Sequence, residues 1–346
     1  MRDALRLAEP QGHELSRLVR CVELVFARAS IPAAIPGFSV RGALAVIAFS
    51  LSSCVGTPTP PPVVSQTSTT AADVSAHTGM LESTAWRAEH IDDPGIVVVH
   101  VDRDRRSYDE GHIPGARFLS LERIAPAGEA PVELAPVPKL EEAFEEVGVS
   151  DGSRIILYGG MGGLAAARAF VTLDVLGHGD DAALLDGGLE TWKREGRRTR
   201  PETDFGPPGK LTPRPALDRI VDAKWVRERL GDPSVVLVDT RRPHEFSGAE
   251  VRAEERRRGH IPGAKNLYWE DFFVDRQTRR LKDREALRAL FEQVGARPDR
   301  TVVLYGTIGL RSSFGYFVSR YLGYETKMYD GSFADWSQRT VLPIER

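Results

Sequence analysis

The hexapeptide GHIPGA occurs twice in the 346-residue chain, at 111–116 and again at 259–264. LYG recurs at 157–159 and 304–306, LDGG at 185–188 answers YDGS at 329–332, and Trp192 answers Trp336. The offsets lie between 144 (336 − 192) and 148 (259 − 111) residues, always in the same order. A period of that length is a whole domain rather than a solenoid unit, so the folded part is two copies of one domain. Length alone agrees, at roughly 100–200 residues per domain.

Each copy alternates short apolar runs with helical spacing. In the first, 95–101, 154–159 and 182–187 read as buried strands, and 139–149 and 164–178 as helices. In the second, 234–240, 301–306 and 326–331 are the strands, and 283–296 and 310–324 the helices. This alternation implies an α/β fold, a mainly parallel sheet in each copy flanked by helices on both faces. Ligands on such sheets sit beyond the carboxyl ends of strands, next to helix N-termini. The turns after Tyr158 and Tyr305 are therefore the places to search.

The N-terminal part reads differently. Ala43 to Leu51 form a nine-residue apolar run after Arg41, too short to span a bilayer, and Leu51-Ser52-Ser53-Cys54 follows. The segment resembles a secretory signal ending in a bacterial lipobox, with Cys54 as the lipidation site. A signal beginning near Val40 has an ordinary layout, so residues 1–40, with Pro10, Pro32 and Pro36, read as an over-extended start. The expected organisation is a targeting segment over 1–53, a Pro/Thr/Ser-rich tether over 54–81, one domain over 82–200, a linker over 201–218 and a second domain over 219–346. The expected location is the bacterial cell envelope, outside the cytoplasm, held to the membrane by the lipid. A net charge of −3 argues against a nucleic-acid partner.

The repeated motifs resemble the rhodanese superfamily, specifically the tandem-domain thiosulfate and 3-mercaptopyruvate sulfurtransferases. In the second copy they are VDTRRPHEF (238–246), RRGHIPGAKNLYW (257–269), VVLYGTIGLRSS (302–313) and MYDGSFADW (328–336). The first keeps YDEGHIPGA (108–116), LYGGMGGLAAARAF (157–170) and LLDGGLETW (184–192). The resemblance implies two tandem rhodanese-like domains and a loop after the Tyr-ending strand whose first residue is a cysteine. That thiolate would attack the donor's outer sulfur and hold it as a persulfide, steadied by loop amides and a helix N-terminus.

Here Gly306 stands where the resemblance implies the cysteine, and Gly159 is its first-copy equivalent. The chain has only Cys21 and Cys54, so nothing after residue 54 carries a thiol. Thr307 and Ser312 carry hydroxyls, which cannot form a persulfide. His244 and His260 are the histidines that could approach the loop. The expectation is a family member inactive in sulfur transfer, with Gly306, Thr307, Ile308, Gly309, Leu310 and Arg311 retained as an anion-binding loop. Its partner would be a small oxyanion or sulfur-containing anion, or a protein. The alternatives are an active sulfurtransferase, as the resemblance suggests, and a structural or interaction module.

Asp239 and Arg241 match the family's D-x-R pattern, either as a pocket wall or as a buried ion pair bracing the loop. In the first copy Val101 and Arg103 are expected at the matching places. His112 and His260 of the HIPGA turns are expected to bond backbone. Asp102, Asp104, Asp109 and Glu110 lack the spacing of a calcium loop and read as a solvated face. The stretch 252–260 reads as an exposed loop. No metal and no cofactor is expected.

Overall fold

The computed structural model describes residues 78–126 and 134–346. The apolar run 43–51 and Cys54 lie outside the described residues. Among the described residues no helix is long and apolar enough to cross a membrane.

The first copy comprises β1 (Leu81–Glu82), α1 (Thr84–Glu89), β2 (Ile96–Asp102), α2 (Arg106–Asp109), β3 (Ala116–Ser120), α3 (Leu121–Ile124), α4 (Val137–Glu146), β4 (Arg154–Gly159), α5 (Leu164–Val175), β5 (Ala182–Leu185) and α6 (Gly188–Arg194). Its five strands pair in the order β1-β5-β4-β2-β3, every pair parallel. Leu81 pairs with Leu184 and Met80 is buried, so the fold begins inside the stretch expected as tether.

The second copy repeats the plan: β6 (Ile220–Val221), α7 (Ala223–Glu228), β7 (Val235–Asp239), α8 (Pro243–Phe246), β8 (Lys265–Asn266), α9 (Arg284–Gln293), β9 (Thr301–Tyr305), α10 (Leu310–Tyr321), β10 (Thr326–Tyr329) and α11 (Ser332–Gln338). Its strand order is β6-β10-β9-β7-β8, again parallel throughout. Apolar runs such as Val302–Leu304 are covered on both faces, which is why they show no polar alternation.

The ladders align the copies residue by residue. Asp239 pairs with Asn266 and Tyr305, and His100 pairs with Phe118 and Tyr158. Phe118 and Asn266 sit at the HIPGA offset, and Tyr158 and Tyr305 at the LYG offset. His100, not Val101, therefore occupies the place of Asp239, and Asp102 that of Arg241. The D-x-R pattern misplaced the first copy by one residue, because the segments before the two HIPGA turns differ in length.

The copies share a core along α5 and α10. All twelve residues of α5 are buried, and Ala165, Ala166, Ala167 and Ala169 let the helices approach closely. Phe170 meets Phe317 edge to face with ring centroids 5.0 Å apart. Both helices stop short of the sequence expectation, at Val175 and Tyr321, ahead of Gly177 and Gly323 in the left-handed conformation. The 201–218 segment is tied along the first copy: Gly209 N–H donates to the Glu145 carbonyl (2.7 Å), and Leu211 is buried.

The two HIPGA turns are built alike. His112 Nδ1 lies 2.8 Å from the Tyr108 carbonyl oxygen and stacks on that ring; His260 does the same with Phe246 at 2.9 Å. Asp102 and Asp104 accept the backbone N–H groups of Arg103 and Arg106. The 252–260 stretch is only partly the exposed loop expected. Glu255 is buried, and Arg257 donates to the carbonyls of Trp336, Ser337, Arg339 and Leu342, satisfying the C-terminal end of α11.

Candidate functional site

The loop after β9 is fixed at its first two residues. Gly306 N–H donates to Ser332 Oγ (3.1 Å), and the carbonyls of Gly306 and Thr307 accept Phe333 N–H (2.9 Å) and Ala334 N–H (3.0 Å). Ser332 holds this position at φ +55°, uncommon for a residue with a side chain. Gly309, at φ +88°, turns the chain into α10. From the loop into the first turn of α10, the N–H groups of Thr307 through Ser312 donate to no acceptor among the described residues. Unengaged amides at a loop and helix start are suited to negative charge.

Gly306 is buried, and its open side faces Thr240 and the start of α10. A Cβ placed on it would lie 3.4 Å from Ser312 N, 3.6 Å from Arg311 Cβ and 3.3 Å from the Thr240 hydroxyl, near ordinary contact distances. Its φ is not in the left-handed region, so the backbone accepts a Cβ, and Thr240 and Ser312 need yield only a few tenths of an ångström to admit it.

Arg311 is engaged by a buried carboxylate. Its guanidinium grips the fully buried Glu245 with two hydrogen bonds, 2.6 and 2.9 Å, and also reaches the Thr307 hydroxyl. Burial alone would push the Glu245 carboxyl up. Arg311, helped by the Arg242 N–H and the charge of Arg241, holds it below its ordinary value. Thr307 Oγ1 lies 3.2 Å from Glu255 Oε1, which accepts from Arg241 Nη1 at 3.0 Å. Arg241 in turn holds Asp239 at 2.7 Å and the Gly259 carbonyl at 2.7 Å. Asp239 and Arg241 are wholly buried and do not line the cleft, so they are the bracing ion pair and not a pocket wall. The low-dielectric interior demands this pairing.

Above the loop lies a cleft of about 290 Å³ between the copies. Its floor includes Thr307, Ile308, Leu310 and Trp269, and Arg311 reaches it with its less buried edge. Arg103 of the first copy and Arg242 and Arg252 of the second are exposed at it. Gly306 and Gly309 lie beneath this surface, and neither His244 nor His260 lines it.

The first-copy loop is built otherwise. β4 runs one residue further, with Gly159 paired to Val101. A Cβ on Gly159 would overlap the Val101 carbonyl oxygen, and one on Gly160 the Asp102 carboxylate. The loop also holds a side chain from the other copy: a Cβ on Gly162 would lie 2.6 Å from the guanidinium carbon of Arg279. Only about 40 Å³ remains between that loop and the second copy.

Several of these residues escape sequence reasoning. Glu245 lies 66 positions from Arg311, and its signal was its place in the VDTRRPHEF motif. The D-x-R pattern matches Arg103 to Arg241, whereas Arg103 borders the cleft between the copies. Nothing in the sequence marks Arg279.

The Rhodanese-like domain family matches residues 83–195 and 222–339. The chain is 36% identical over 290 residues to the sulfur carrier protein TtuD of Thermus thermophilus, covering 78% of this chain and 98% of the relative. It is 33% identical over 258 residues to the thiosulfate sulfurtransferase of Pseudomonas aeruginosa, covering 73% and 92%. Among solved structures, the anaerobic ergothioneine biosynthesis enzyme from Chlorobium limicola superposes with a TM-score of 0.68 at 22% identity, covering 77% of this chain and 70% of that one, a likeness of fold. Two matched domains and relatives aligned over nearly their whole length place this chain in the rhodanese family, as a tandem-domain member.

Proposed function

We propose that this chain is a rhodanese-family protein without sulfur-transfer chemistry, which binds a small oxyanion or sulfur-containing anion at the second-copy loop. The observation that carries the reading is the direction of Gly306. Its missing Cβ points at the unengaged Ser312 N–H at the start of α10, in a protein with no cysteine beyond residue 54. The unengaged amides remain suited to an anion, while the step that needs a thiolate has no atom to perform it. The guanidinium groups of Arg103, Arg242 and Arg252 around the cleft add positive potential, which Glu254 and Glu270 on the same lining partly offset. We further propose attachment to the envelope membrane through lipidated Cys54, from the signal-like segment that precedes it.

Calorimetric titration with thiosulfate, sulfate and phosphate tests the reading. Saturable binding of at least one is expected, with no thiosulfate:cyanide or mercaptopyruvate turnover above a heat-killed control. Turnover that survives removal of contaminating enzyme would favour the active reading that the relatives' names suggest. Absence of binding would favour a protein-interaction cleft, a second reading supported by the engagement of Arg311 with Glu245 instead of with open space.

A further inference from the structure

The second-copy loop is held from behind by the first copy. Arg168, midway along α5, has its guanidinium fully buried and donates both nitrogens to Asp330, Nη2 at 2.9 Å from Oδ2. Asp330 closes β10 and also accepts Leu134 N–H at 2.9 Å. The pair touches the loop directly, since a Cβ on Gly309 would lie 2.8 Å from Asp330 Oδ1 and 3.2 Å from Arg168 Nη1. It touches it again through the chain: Asp330 leads into Ser332, Phe333 and Ala334, which hold Gly306 and Thr307. Both ends of the loop thus lean on one ion pair across the two copies.

The first-copy loop has the same scaffold with a weaker, exposed cation: Arg280 reaches Asp186 Oδ2 through Nε at 3.3 Å. Asp186, the repeat equivalent of Asp330, accepts Leu281 N–H at 2.8 Å, just as Asp330 accepts Leu134 N–H. Where Arg168 stands against Gly309, Phe314 stands against Gly163, its ring 3.1 Å from the Cβ that glycine lacks. Burial pushes the Asp186 carboxyl up, with Arg280 only partly opposing. The asymmetry lies in what backs each loop: a buried guanidinium behind the second-copy loop, and a phenyl ring behind the first-copy loop that Arg279 fills.

We propose that Arg168 is a positioning residue, by which the first copy sets the geometry of the second-copy anion cradle; this rests on the reading that the amide cradle is intact. A guanidinium locked in two parallel hydrogen bonds has one orientation, so Asp330 and the segment after it have one too. A shift of about 1 Å in such a frame is enough to misaim amides.

The test uses the full chain with Gly306→Cys as a reporter thiol, its alkylation rate followed against pH and resolved by peptide mass from Cys21 and Cys54. With Arg168 present, the reporter is expected to titrate at least one pH unit below the ordinary thiol value of about 8.5. With Arg168→Met it is expected to return to within a few tenths of that value, a roughly tenfold loss of thiolate at pH 7. Arg168→Lys, which keeps the charge but not the fork, is expected to recover only part of the shift. If Arg168→Met fails to fold, Arg168→Met with Asp330→Leu removes the pair without stranding a buried charge. Circular dichroism and melting identify which variants are folded. An unchanged reporter pKa in a folded protein lacking Arg168 overturns the positioning role. A reporter that titrates normally with Arg168 in place overturns the cradle reading instead.

Discussion

The two loops that follow Tyr158 and Tyr305 descend from one repeated pattern and have opposite interiors. After Tyr305 the chain leaves the sheet at once, and the open side of residue 306 faces Thr240 and the unengaged Ser312 N–H at the start of α10. After Tyr158 the strand continues through Gly159, so that residue looks into the Val101 carbonyl, and Arg279 of the other copy fills the turn at Gly162. Both positions are glycine, yet for different reasons. Gly159 is required by space, whereas at Gly306 neither φ nor neighbouring atoms demand a missing side chain.

Exchange of the two glycines gives the largest contrast. Gly306→Cys is expected to fold at nearly wild-type stability and to accept sulfur from thiosulfate. Its thiolate would attack the outer sulfur and expel sulfite with the bonding pair, leaving a mass gain of one sulfur atom. Gly159→Cys must push β4 away from β2 and is expected to lose about 3 kcal/mol, at the upper end of overpacking costs, and to take up no sulfur. Urea denaturation and intact-protein mass spectrometry read both. Sulfur uptake by Gly159→Cys, or its stability equal to wild type, would erase the distinction between the loops.

Much of this frame was legible beforehand, and the losses have physical causes. Motifs such as GHIPGA and LYG persist because turns and buried strands constrain residue type locally, so they revealed two copies and the place of Gly306. Register was harder. His100 pairs where Asp239 pairs, but no local signal marks a buried histidine as the equivalent of an aspartate, and unequal intervening segments defeat counting. The engagement of Arg311 was out of reach because its partner Glu245 comes from α8, on the far side of an insertion. Contacts between the copies, such as Arg168 with Asp330 and Arg279 with Gly162, depend on docking, which repeat matching does not describe.

Arg311 offers a second way to make the loops alike, since its first-copy equivalent, counted from Gly163 and Gly309, is Ala165. Arg311→Ala leaves Glu245 buried without its two-pronged partner. A loss of about 3 kcal/mol at pH 7 is expected, the lower end for breaking a buried pair. The Glu245 carboxyl is held below its ordinary value, so its contribution is present above the unfolded value near 4.3 and is lost as pH falls through the lower folded value. The variant should therefore lose less stability than wild type on acidification below pH 4.3. Equal acid profiles in urea denaturation would mean that Glu245 finds another cation, Arg252 at 3.9 Å being the nearest.

The smallest expected effect sharpens the comparison at the ladder position itself. Asp239 is answered by a guanidinium, whereas His100 is buried among Tyr108, Phe118 and Tyr158, with Ser107 Oγ 3.2 Å from Nε2 and no partner for Nδ1. Burial lowers its pKa to about 4, and the charges of His112 and Lys193 push the same way; Asp102, 4.0 Å from Nε2, is the carboxylate it faces. A folded value below the unfolded 6.5 means that the unfolded chain takes the proton first. The cost is absent above pH 6.5, grows as pH falls between 6.5 and 4, and is complete below both values. Between pH 7 and pH 5 this single group should remove about 2 kcal/mol, from 1.36 kcal/mol per pKa unit. Acid should therefore unfasten the first copy through a group the second copy lacks. His100→Gln cannot titrate, so its loss of stability between pH 7 and pH 5 should be smaller than that of wild type by the same amount. If urea denaturation gives the two proteins parallel profiles, His100 is not the acid-sensitive point, and the ladder position does not distinguish the copies in stability.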